Sequence, residues 1–163
     1  MHCHGTASYS RACLRIAYEL ERASEDLDFN TSLPIQGLKD TARACLKDFG
    51  RLNLQSEILA EKMHEGKYRI EIRFQGPLFT GDNRSSNTVK TDFNRRKTQT
   101  SEPRVVKKLF SDIPPFTILV MQKKEILAEK IRALAMRSEA RDMYDVWALL
   151  SMGEEIDQQL LKS

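Results

Sequence analysis

The feature that most restricts the fold of this chain is a change of hydrophobic period along it. "KYRIEIRF" alternates Tyr68, Ile70, Ile72 and Phe74 with charged residues, and "TVKTDFN" sets Val89, Thr91 and Phe93 against Lys90 and Asp92. Successive strand side chains point to opposite faces, so both segments read as strands with one buried and one wet face. After Pro114 and Pro115 the run "FTILVM" reads as a buried strand, and then the period lengthens. "KKEILAEKIRALAMR" places Ile126, Leu127, Ile131, Leu134 and Ala135 on a helical stripe, and "ARDMYDVWALL" places Met143, Val146, Trp147 and Leu150 on another. Nearer the start, "SRACLRIAYELER" has a broadly helical pattern. "PIQGLKDTARACLKDFG" has Pro34 to open a helix, Ile35, Leu38, Ala42, Cys45, Leu46 and Phe49 on one stripe, and Gly50 to close it. Strands in the middle with helices before and after them predict a mixed α/β (α+β) chain.

The hexapeptide "EILAEK" occurs at Glu57 to Lys62 and again at Glu125 to Lys130, with no wider repeat around either copy. Propensity alone would make both helical. The second copy lies within long helical periodicity. The first follows "RLNLQS", where Leu52 and Leu54 alternate, and precedes a strand across Gly66, so a strand is expected there.

The 163 residues, 40% hydrophobic and 30% charged, suit a single domain with a substantial core. No apolar run approaches the roughly 20 residues that span a bilayer, and "MHCHGTASYSRAC" lacks the apolar core of a signal peptide, so a cytoplasmic location without membrane contact is expected. Cys3, Cys13 and Cys45 are irregularly spaced and fit reduced thiols. Residues 1–9, including His2 and His4, are expected to form a disordered tail. The net charge of +3 is only mildly basic. Arg95, Arg96, Lys97, Arg104, Lys107 and Lys108 crowd "NRRKTQTSEPRVVKK", which reads equally as a phosphate-binding stretch or as a solvated loop.

In "SEDLDF", Asp26 and Asp28 flank Leu27 and would share one face of a strand. Carboxylates that close repel unless a cation lies between them, which points to a metal site. An edge strand with one wet face gives the same alternation. Asp92 is a third acid on a strand.

The order "SEDLDF", "VKTDF", "EILAEKIRAL", "RSEARDMYDVWALL" resembles the AbiEii/AbiGii nucleotidyltransferase family, the toxin component of abortive-infection and type IV toxin–antitoxin systems, over roughly residues 13–152. The resemblance implies a polymerase-beta-like nucleotidyltransferase core with a small mixed sheet over 10–121 and a C-terminal helical part over 122–163. It implies that Asp26, Asp28 and Asp92 hold Mg²⁺ and carry the catalysis, with Asp92 activating an attacking hydroxyl. It further implies that Ser24, Lys130, Asp142 and Asp145 bind the nucleotide, that a nucleoside triphosphate is the donor, that an RNA such as tRNA or a protein hydroxyl is the acceptor, and that an antitoxin is the partner. For the helical residues a structural reading stands beside this one: Lys130 as a solvated residue, and Arg141 with Asp145 as a pair along one helix.

The chain departs from the family where a Gly-Gly-Thr type turn is expected, since Ser10, Arg11, Ala12 and Cys13 stand there and "HGTA" lies six residues too early. Backbone that approaches phosphate closely needs glycine. The alternative expectation is therefore a truncated, inactive member that only binds antitoxin or RNA.

Overall fold

The computed structural model describes residues 6–8, 11–21, 26–64, 66–95, 98–106 and 115–162. In chain order the elements are β1 (Thr6–Ser8), α1 (Arg11–Tyr18), β2 (Asp26–Thr31), α2 (Ile35–Arg51), β3 (Gln55–His64), β4 (Lys67–Gln75), β5 (Asn87–Asn94), β6 (Ser101–Val106), β7 (Phe116–Met121), α3 (Lys123–Arg137), α4 (Ala140–Ser151) and α5 (Gln158–Lys162). The strands form one mixed sheet in the order β3-β4-β5-β2-β1-β7-β6. β2 runs parallel to β5, and β1 parallel to β7; the remaining neighbours are antiparallel.

Two apolar clusters hold helices to this sheet. Leu38 and Ala42 of α2 pack on Tyr68 and Ile70 of β4, with Ile72 and Phe93 at the margin. These are the residues that the period-2 pattern turned inward. Cys13 and Leu14 of α1, Val120 and Met121 of β7, Ile126 and Leu127 of α3, and Ala148 and Leu149 of α4 form the other cluster. Among the described residues no helix is long and apolar enough to cross a membrane.

Four expectations are corrected. Part of the expected tail is β1, which joins the two halves of the sheet by pairing Ala7 with Asn30 and Ser8 with Val120. Such a short strand needs only backbone groups, so "TAS" carries no side-chain period. The described part of the basic stretch contains β6, whose Pro103 is tolerated because the strand lies at the sheet edge. Gly50 does not end α2: the helix runs to Arg51, and Asn53 takes the left-handed conformation (φ 57) that often terminates helices. Finally, α4 does not bury the stripe read from its period. Met143 and Trp147 are 60% and 62% exposed, whereas Asp142, Asp145, Ala148 and Leu149 are buried. Ion pairs rotate that helix, as described below.

Candidate active site: a carboxylate face and a buried ion cluster

The register of the sheet brings the strand acids together. Phe29 stacks on Phe93 at 5.4 Å between ring centroids, and Phe93 on Tyr68 at 6.3 Å, a ladder across β2, β5 and β4 on the side packed by α2. A slip of one residue would turn these rings to solvent and the acids to the core. With the rings fixed, the opposite face is fixed too: Asp28 pairs with Asp92, Asp26 with Lys90, and Asp92 with Arg69 of β4. All three expected strand carboxylates thus lie on one face.

Arg69 closes one side of this face. Its Nε donates to Asp92 Oδ1 at 2.6 Å and its Nη2 to Asp92 Oδ2 at 2.7 Å, a two-pronged contact that uses both carboxylate oxygens. The hydrogen bonds it donates to Asp92 hold the guanidinium pKa above its usual value, and the charges of Asp92 and Asp26 act in the same direction. Asn30, two residues beyond Asp28 and buried, has an Oδ1 without a hydrogen-bond partner among the described residues.

The donor set fits a hard divalent cation, which takes oxygen ligands. As placed, no group of three or more His, Cys, Asp or Glu side chains among the described residues is gathered closely enough to hold one. The guanidinium bound to Asp92, within the field of Asp26, stands in for positive charge at that place.

The helical residues form a different kind of centre. Lys130 Nζ lies 2.9 Å from Asp145 and 3.8 Å from Asp142. Arg137 donates from Nε and Nη2 to the two oxygens of Asp142 at 2.7 and 2.9 Å. Asp142 and Asp145 are 1% and 0% exposed, and Lys130 is buried with them. Burial opposes the charge on Asp142, yet hydrogen bonds from Arg137 and the charges of Arg137, Lys130 and Arg141 hold its carboxyl below the usual carboxylate range. The elements make this possible. α3 ends at Ser138 in a left-handed conformation (φ 47), and the chain turns into α4, so Arg137 meets Asp142 across the break. The Asp28 carboxylate also acts on Arg137, which links the cluster electrostatically to the strand acids.

The structure therefore brings Asp26, Asp28 and Asp92 to one face and Lys130, Asp142 and Asp145 to one another. Asp145 pairs with Lys130, and Arg141 pairs with Glu139. Lys130 is not a solvated residue. Ser24 and Ser10 lie outside the described residues, as do Arg96, Lys97, Lys107 and Lys108. Within the basic stretch, Arg104 is held by Glu102 and stacks over Tyr18. Sequence reasoning missed Arg69 and Arg137. Arg69 was readable only as one charge on a wet strand face, and its meaning depends on which strand lies opposite. Arg137 precedes Asp142 by five residues, a spacing that no continuous helix would pair.

The chain is a mixed sheet with in-register carboxylates on one face and helices that follow it, an architecture that it shares with nucleotidyltransferase toxins. Residues 12–163 match the family described as "Nucleotidyl transferase AbiEii toxin, Type IV TA system", and the chain belongs to that family. Among solved structures it is similar to MenT4, a nucleotidyltransferase toxin from Mycobacterium tuberculosis H37Rv, with a TM-score of 0.67 and 18% identity over 97% of this chain and 53% of that one. It is also similar to JHP933 from Helicobacter pylori, with a TM-score of 0.57 and 20% identity over 87% of this chain and 56% of that one. A putative nucleotidyltransferase from H. pylori gives 0.54 and 21%, over 86% and 57%. The chain thus spans about half the length of these structures. No curated protein matches it.

Proposed function

We propose that this chain carries the nucleotide-handling centre of a cytoplasmic nucleotidyltransferase toxin, which transfers a nucleotide from a nucleoside triphosphate to a hydroxyl of an RNA, such as tRNA, or of a protein, and is restrained by an antitoxin. The placement of Asp28 beside Asp92 on one sheet face carries this reading. Asp26, Asp28 and Asp92 would hold Mg²⁺, which supplies neutralisation of the triphosphate charge. Asp92, once released by Arg69, accepts the proton of the attacking hydroxyl on a carboxylate oxygen. The hydroxyl oxygen bonds to the α-phosphorus, the bond from that phosphorus to the α–β bridging oxygen breaks, and pyrophosphate leaves with the electron pair. Lys130, Asp142 and Asp145 are too buried to touch the nucleotide as placed and serve as structural support: Asp142, held by Lys130, fixes Arg137, on which the Asp28 charge acts.

The test is incubation of the chain with Mg²⁺ and each α-labelled triphosphate, with and without total tRNA, alongside Asp28→Asn. Transfer of label by the parent and its loss in the variant are expected; transfer that survives the substitution would contradict the assignment. A second reading, a member that binds but does not transfer, is favoured by the glycine-free sequence Ser10 to Cys13. RNA or antitoxin retention without label transfer would support it.

A further inference from the structure

The Arg69 guanidinium occupies both oxygens of a carboxylate that the proposed function requires for cation binding and proton transfer. That makes it more than an ordinary cross-strand pair. Other pairs on the same wet face, Lys62 with Glu71 and Arg73 with Glu57, join residues away from the β2 acids. Of these three bases Arg69 is the one whose acid partner lies on β5, the strand that adjoins β2, and its side chain is 44% exposed while Asp92 is 15% exposed. Because the guanidinium is open to water, it can leave Asp92 without stranding a cation in the interior. An arginine is also well suited to a second acceptor, because its planar fork matches phosphate as it matches carboxylate.

We infer that Arg69 is an exchangeable cation of the site: it neutralises Asp92 while the site is empty, and it leaves Asp92 for the triphosphate when a divalent cation takes its place. This rests on the reading of Asp26, Asp28 and Asp92 as the cation-binding face. The exchange balances charge, since the carboxylates gain a divalent ion as the guanidinium moves onto an anion. It also gives the site an order of events. Cation alone must compete with Arg69, whereas cation with triphosphate offers Arg69 a new partner, so each ligand promotes the other. Such coupling is reciprocal by linkage.

Binding of Mn²⁺ alone to the purified chain, followed by the electron paramagnetic resonance of free Mn²⁺, tests this without relying on activity. Arg69→Gln should bind Mn²⁺ roughly two- to fivefold more tightly than the parent, the order expected for removing a competing solvent-accessible pair. Arg69→Lys, which keeps the charge but not the fork, should fall between them. Addition of a triphosphate should tighten Mn²⁺ binding to the parent more than to Arg69→Gln. If Arg69→Gln binds Mn²⁺ no more tightly than the parent while Asp28→Asn still weakens binding to both, the exchange is refuted and the cation face stands. If neither the parent nor Arg69→Gln shows binding that depends on Asp28, the cation face itself is refuted and the exchange with it. Thermal unfolding of each variant identifies any that is not folded, and Arg69→Lys then decides alone.

Discussion

Two ion-pair centres among the described residues join an arginine to an aspartate by two parallel hydrogen bonds; their guanidiniums are about equally exposed, yet the acids and what lies behind them differ in burial. Arg69 and Asp92 meet on the wet face of the sheet, and Arg137 meets Asp142 above a lysine and a second aspartate that water does not reach. In water an ion pair gains little over its separated, hydrated partners. Out of water, removal of one member strands a charge that nothing else can solvate. The same residue types therefore make an adjustable centre in one place and a fixed one in the other.

The largest expected contrast is in stability. Lys130→Ala should lower the free energy of unfolding by about 3–5 kcal/mol, because it leaves the buried Asp145 and Asp142 without their common cation. Asp92→Asn should stay within about 1 kcal/mol of the parent. Urea denaturation of the two variants measures both, and equal losses would break the comparison.

Acid should erase part of the difference. The folded-state pKa of Asp142 is depressed, so its stabilisation is present above the unfolded value of about 3.9 and is lost as pH falls through the folded value. Asp142→Asn should therefore be less stable than the parent at pH 7, and the gap should narrow below about pH 4. Urea midpoints at pH 7 and pH 3 check this; a gap of constant size would show that the carboxylate charge does not matter.

A thiol reports the same contrast more finely. Cys13 lies in the apolar cluster that includes α3 and α4, and burial pushes its pKa up to about 12. Labelling of Cys13 with iodoacetamide near pH 8 should be slow in the parent and in Asp92→Asn, and faster in Lys130→Ala, whose cluster opens more often. Peptide mass spectrometry resolves it from Cys45. The smallest effect is that of salt: whatever Arg69→Gln does to stability should fade between about 0.1 and 1 M salt, as the screening length falls from about 10 to about 3 Å, while the Lys130→Ala loss persists.

The two regions also differ in how far the sequence reveals them. Alternation in "KYRIEIRF" and "TVKTDFN" told which side chains face inward, and that was enough to place Asp92 on the wet face, because period 2 fixes the face wherever aromatic residues must be buried. The two copies of "EILAEK" show what local propensity omits. The first is strand, pairing Ile58 with Ile72, and the second is helix, burying Ile126 and Leu127. Only the neighbours distinguish them. α4 was misread because an apolar stripe was assumed to point inward; Asp142 and Asp145 turn inward instead, drawn by Arg137 and Lys130 from another helix, and Met143 and Trp147 are left outside. Pairings between elements, such as Arg69 with Asp92, have no signature in either segment taken alone. The short β1 had no pattern to read.

The central claim is that the carboxylate face handles nucleotide while the buried cluster holds structure. Calorimetric titration of Mg²⁺ and each nucleoside triphosphate into Asp28→Asn, with urea midpoints on the same samples, tests it most directly. The account predicts an affinity loss of more than about 100-fold, since loss of even an outer partner of a metal ligand costs about 10- to 100-fold, with the stability of the fold within about 0.5 kcal/mol of the parent. A variant that binds Mg²⁺ and triphosphate as tightly as the parent would contradict it.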